Sequence, residues 1–127
     1  MQNQTGRCLC GAVRFRFSGE VLASGHCHCE SCRRATSSPV TTFFTVAKQG
    51  IAFSGDDYRF YASSPSVRRG FCGRCGSPLS YENEQRPEEM DIYVASLDPG
   101  GDFDIKEHWH WAERVSWLHC DDDLPKT

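Results

Sequence analysis

No apolar run in this chain approaches the ~20 residues of a membrane-spanning helix. The opening stretch, MQNQTGRCLCG, has no apolar h-region, so no secretion signal is expected and a cytoplasmic location is. An excess of positive charge is also missing. Lys and Arg number 14 against 17 Asp and Glu, for a net charge of −3. The basic pairs Arg33–Arg34 and Arg68–Arg69 are scattered, which argues against general affinity for nucleic acid or an anionic membrane. Helical periodicity is scarce too. Only Glu30 to Ala35 reads as a turn or two of helix. The 127 residues have room for one core and not comfortably for two. With no internal boundary or long repeat, one domain over residues 1–127 is expected.

Cysteine is what the chain has in abundance, with 8 residues. A secreted disulfide scaffold does not fit the missing leader, and the spacing fits it less well. Cys8-Leu-Cys10, Cys27-His-Cys29-Glu-Ser-Cys32 and Cys72-Gly-Arg-Cys75 are clusters of near neighbours. Neighbours converge readily on one metal ion, whereas disulfides usually join distant segments.

The rest of the chain reads as short strands punctuated by Gly, Pro and Ser. In AVRFRF (12–17), Val13, Phe15 and Phe17 share one face and the arginines the other. VTTFFTV (40–46), YRFYA (58–62) and MDIYVASL (90–97) are further strands. SVRRGF (66–71) enters the CxxC and PLSYE (78–82) leaves it, which suits a hairpin with a metal knuckle at its tip. KEHWHW (106–111) alternates, placing Trp109 and Trp111 on one face and His108 and His110 on the other. The expected fold is mainly β, small antiparallel sheets stapled by metal, with little helix.

Zinc is the natural ion for clustered thiolates, at tetrahedral sites. Cys8-Leu-Cys10 and Cys72-Gly-Arg-Cys75 are each followed by glycine, Gly11 and Gly76. A knuckle turns backbone N–H groups toward sulfur and often needs positive φ, which glycine permits. Those two pairs make a closed four-thiolate site of Cys8, Cys10, Cys72 and Cys75 that staples the first strand to a late hairpin. The triplet Cys27, Cys29 and Cys32 is followed instead by Arg33 and Arg34, whose guanidinium would compensate the charge of three thiolates on one ion. Its fourth position is open to water, a substrate thiol, Cys120 or a histidine. Three protein ligands plus an exchangeable one is the usual arrangement of a catalytic zinc. His28 lies between two ligands, and its side chain is expected to point away from the metal; Cys120 reads as a buried free cysteine.

GRCLCGAVRFRF, HCHCESCRR, RGFCGRCGSPLSY and EHWHWAERVSWLHCDDDLP follow one another as in the glutathione-dependent formaldehyde-activating enzyme (GFA) family, related to centromere protein V, which the chain resembles from Gly6 to Pro125. The chain departs from the family at Ser37, where many relatives have glycine, and at EHWHW, where a proline-rich, more aliphatic stretch is usual. The resemblance implies a β-tent fold, a structural zinc at Cys8, Cys10, Cys72 and Cys75, and a second, open zinc at Cys27, Cys29 and Cys32. It also implies a carbon–sulfur lyase type of reaction on glutathione and formaldehyde. In the mechanism this suggests, the thiol becomes a thiolate at the open zinc and attacks the aldehyde, Arg33 or Arg34 holds a carboxylate or the developing alkoxide, and His108 moves a proton. Two other readings compete with an enzyme: a non-catalytic zinc-stabilised binding module, and a thiol or zinc sensor using the triplet.

Overall fold

The computed structural model describes residues 2–99 and 103–127. Among these residues, ten strands and one short α-helix follow one another: β1 (Gln2–Arg7), β2 (Arg14–Gly19), β3 (Ala23–Cys27), α1 (Glu30–Thr36), β4 (Thr41–Ala47), β5 (Ile51–Ser54), β6 (Tyr58–Ser64), β7 (Val67–Cys72), β8 (Pro78–Asn83), β9 (Glu89–Tyr93) and β10 (Glu107–Trp109). They form a three-stranded sheet, β1-β2-β5, and a seven-stranded sheet, β10-β3-β4-β9-β8-β7-β6. The fold is mainly β, as expected. Among the described residues no helix is long and apolar enough to cross a membrane.

The alternation that runs from Val13 into β2 builds the main core. Val13, Phe15 and Phe17 are buried, Arg14 and Arg16 are exposed, and the apolar row packs with Phe44, Val46, Leu79, Met90 and Ile92 of the large sheet. The opposite face of the large sheet is also buried in part. There Phe43 and Tyr93 pack with Cys27 and Cys32 in a second cluster. β4 thus serves two cores, which is why its sequence is apolar or β-branched at almost every position rather than alternating.

Three strands escape the sequence reading: β1, β3 and β5. QNQTGR has no apolar face, and ASGHC is short and polar. Each is a strand because a neighbour supplies its ladder, β2 for β1 and β4 for β3. MDIYVASL does not run as one strand. β9 stops at Tyr93 and Val94–Ser96 form a 3-10 turn. KEHWHW is cut short as well. β10 ends at Trp109, and His110 takes a left-handed conformation with φ 55. Trp111 therefore does not share a face with Trp109; its ring sits edge-on to His108 and His28.

The sheets are antiparallel except for one pair. β10 runs parallel to β3, with Glu107 opposite Gly25 and Trp109 opposite Cys27. Glycine is required at residue 25, because a Cβ there would lie 2.4 Å from Cε2 of Trp109. That close approach sets the indole beside the triplet.

Candidate metal centres and the cavity at the triplet

The β7–β8 hairpin carries the CxxC at its tip, and β1 leads into the first pair. The two meet so that Cys8, Cys10, Cys72 and Cys75 bring their sulfurs within 4.8 Å of one another. The Cys8–Cys10 and Cys10–Cys72 sulfur separations are 3.7 and 3.8 Å. A tetrahedral ion with metal–sulfur bonds of about 2.3 Å has sulfur–sulfur edges of about 3.8 Å. The donor set therefore fits one tetrahedral metal ion, and no disulfide is present among these free cysteines.

The glycine reading of the knuckles holds at the backbone. Gly11 and Gly76 have φ of 82 and 79. The turns they complete aim N–H groups at sulfur: Val13 N–H donates to Cys8 Sγ at 3.3 Å and Arg74 N–H to Cys72 Sγ at 3.3 Å. Ser77 adds a side-chain donor. Its hydroxyl oxygen accepts from Leu9 N–H at 3.0 Å and stands 3.1 Å from Cys75 Sγ, which leaves the hydroxyl proton for the sulfur. Ser77 is the chief cause of a Cys75 thiol pulled down to about 5. These donors disperse the charge of four thiolates.

The triplet is assembled differently. Cys27 ends β3, Cys29 caps α1 and Cys32 lies in its first turn. The Cys29 sulfur accepts from Cys32 N–H at 3.4 Å. Hydrogen bonds from the Cys27 and Cys32 thiols draw the Cys29 thiol strongly down, and the same contacts push Cys27 up. The three sulfurs converge as one group, and among the described residues no further Cys, His, Asp or Glu joins it. Cys27 and Cys32 are buried and Cys29 is half-buried. All three line a cavity of about 430 Å³, with Phe43, Tyr81, Trp109 and His110 as walls and Arg86, Glu89 and Asp91 as its charged lining. That volume is in the ~300–1,000 Å³ range of small-molecule sites.

The guanidinium beside the triplet belongs to Arg69. Its Nη1 donates to Cys32 Sγ at 3.5 Å, Nη2 to Ser31 Oγ at 3.2 Å and Nε to Ser63 Oγ at 3.1 Å. The group lies over the Tyr81 ring, 5.0 Å from its centroid, and is 8% exposed. The sequence points to Arg33 or Arg34 for this position. Arg33 instead donates to the carbonyls of His28 and Glu113, and Arg34 pairs with Glu30 on the exposed side of the helix. His108, expected as a proton carrier, is 1% exposed, and its ring nitrogens face His28 and Asp122. Nothing in the local sequence distinguishes Arg69 from Arg68. Their fates depend on which face of β7 looks toward α1, and the sheet order decides that.

The comparisons with known proteins follow the same lines. Residues 3–113 match the family model described as glutathione-dependent formaldehyde-activating enzyme. The chain belongs to that family. An uncharacterized lyase of Schizosaccharomyces pombe is 35% identical over 96 residues, covering 74% of this chain and 69% of the relative. The crystal structure of a Rhodobacter sphaeroides protein superposes with a TM-score of 0.62 at 20% identity, covering 97% of this chain and 99% of the other. Family and relative together mark the chain as a GFA-type lyase, and the Rhodobacter likeness marks the fold.

Proposed function

We propose that the chain is a zinc-dependent carbon–sulfur lyase that makes or cleaves the S-hydroxymethyl adduct of a small thiol, glutathione or a similar one, with an aldehyde such as formaldehyde. The observation that carries this reading is the triplet: three converging thiols with no fourth protein donor among the described residues, opening on a cavity of about 430 Å³. In this reading Cys8, Cys10, Cys72 and Cys75 hold a structural zinc and Cys27, Cys29 and Cys32 a second one, two ions within one domain spanning residues 1–127. The eight unpaired cysteines suit the reducing cytoplasm.

Bound at the triplet, zinc supplies a fourth position that favours thiolate over thiol near neutral pH. The protein supplies the rest. Arg69 balances the charge of the three thiolates through Cys32. Phe43, Tyr81 and Trp109 keep water from the reacting thiol and aldehyde. Arg86, paired with Asp91 at 2.9 Å and Glu89 at 3.1 Å, offers both charge signs along one wall. Such a wall suits a zwitterionic thiol compound carrying carboxylates and an amine.

Thiols add to formaldehyde without help, so the test must separate catalysis from background. Exchange NMR on glutathione and formaldehyde should show faster interconversion with the wild-type protein than without it. Cys29→Ser should lose that acceleration and keep its strands, while Cys72→Ser should lose the fold itself. In the cobalt-substituted protein, added glutathione should move the visible spectrum of the triplet toward four-sulfur coordination. Background-rate exchange together with a spectrum indifferent to thiol would leave a zinc-stabilised binding module.

A further inference from the structure

A third group of donors lies behind the triplet. The ring nitrogens of His28 and His108 and the sulfur of Cys120 all lie within 4.8 Å of one another. The histidines are 2% and 1% exposed, and Cys120 is half-buried. Consecutive side chains of an extended segment point to opposite sides. Cys27 and Cys29 therefore face the triplet, and His28 between them faces the other way, toward β10.

The hydrogen bonds orient the His108 ring. Its Nε2 stands 3.0 Å from both carboxylate oxygens of Asp122. A carboxylate only accepts, so Nε2 carries a proton, and in the neutral ring, the form that binds metal, Nδ1 presents a lone pair. That lone pair points at Nε2 of His28, 2.8 Å away. A carboxylate holding the outer nitrogen of a histidine while the inner one faces other donors is the usual outer shell of a metal-bound imidazole. Two nitrogens on one tetrahedral ion at ~2.0–2.1 Å sit about 3.3 Å apart, so the pair needs to open by only about 0.5 Å. Two neutral imidazoles and one thiolate leave a divalent ion at +1, and Asp122 completes neutrality. The Trp111 ring covers the group edge-on, 5.0 Å from the His28 ring and 4.8 Å from that of His108. The half-exposed side at Cys120 leaves the fourth position to water.

We propose that His28, His108 and Cys120 form a third metal site, for Zn²⁺, that fastens the C-terminal segment to the sheet. Residues 114–125 carry no helix or strand. The segment returns to the body at its end, where His108 N–H donates to Pro125 O at 2.8 Å and Thr127 N–H to His108 O at 3.0 Å. An ion at Cys120 would pin its middle to the end of β3 and the centre of β10. The site is separate from the triplet and does not depend on the lyase reading.

Calorimetric titration of Zn²⁺ into the full chain, with metal analysis at saturation, tests the proposal. Wild type should saturate one ion higher than Cys120→Ala, whatever the occupancy of the thiolate sites. Asp122→Asn, which removes the carboxylate behind His108 and replaces no proposed ligand, should weaken that last ion by about 10–100-fold. Trypsin should cut after Arg114 faster in Cys120→Ala than in zinc-saturated wild type. Equal saturation in wild type and Cys120→Ala, or an affinity for the last ion unmoved by Asp122→Asn, would overturn the proposal. The histidines would then be a hydrogen-bonded pair.

Discussion

If the triplet holds a metal ion as proposed, replacing Arg69 by Met should loosen it and leave the four-thiolate centre alone. The guanidinium donates to Cys32 Sγ at 3.5 Å from a site only 8% exposed. A hydrogen bond of this charged kind contributes about 1.5–3 kcal/mol. At 1.4 kcal/mol per decade, its loss weakens binding by about 10–150-fold. Met fills much of the same volume against Tyr81, so packing changes little. Arg69→Lys keeps the charge without the fork and should fall between the two. Competition against a graded series of chelators reads the effect, with released metal measured at each step and circular dichroism followed in parallel. The centre of Cys8, Cys10, Cys72 and Cys75 is the internal reference, because Arg69 makes no contact with its sulfurs. Arg33→Met is the second control; its guanidinium binds carbonyls of His28 and Glu113, and its removal should leave metal release unchanged. An Arg69→Met chain whose two thiolate centres release metal at wild-type chelator concentrations would refute the assignment of this arginine.

Two further outcomes are expected. Ser37 ends α1 in a left-handed conformation, φ 56 and ψ 34, so Ser37→Gly should raise thermal stability by up to about 1 kcal/mol; an unchanged or lower melting temperature would show that the serine is held by something other than its backbone. Burial pushes the Tyr58 hydroxyl up to about 12, and it bonds Ser80 Oγ at 2.6 Å. Because the folded value lies above the unfolded one of about 10, its contribution is complete below pH 10 and is lost as pH rises toward 12. Tyr58→Phe should therefore cost about 1 kcal/mol at pH 8 and melt with a shallower alkaline decline, whereas an alkaline limb identical to wild type would place the titration elsewhere.

Much of this architecture can be read before folding, for reasons that are local. The β2 row of Val13, Phe15 and Phe17 shows in its alternation. The knuckles show because a thiolate turn needs left-handed backbone at Gly11 and Gly76. Both groups of thiols come together as the spacing implied. What stays hidden is set by pairing between distant segments. β1 has no apolar face of its own. The parallel register of β10 on β3 depends on Gly25 meeting Trp109, residues 84 apart in number and adjacent only in the sheet. Arg69 reaches Cys32 across 37 residues. KEHWHW misleads because its alternation is broken at His110, where the chain turns left-handed and carries Trp111 to the histidines.

Strand β7 has a consequence for how the molecule comes apart. It holds Arg69 against Cys32 and, after the bulge between Gly70 and Phe71, delivers Cys72 to the four-sulfur centre. One short ribbon is thus the brace of one centre and a wall of the other. Stripping the four-sulfur centre frees the hairpin tip, and the brace leaves with it. Loss should run in one direction: emptying the triplet spares its neighbour, while emptying the neighbour collapses both. Metal starvation would then silence the cavity first and unfold the chain only when the four-sulfur centre gives way.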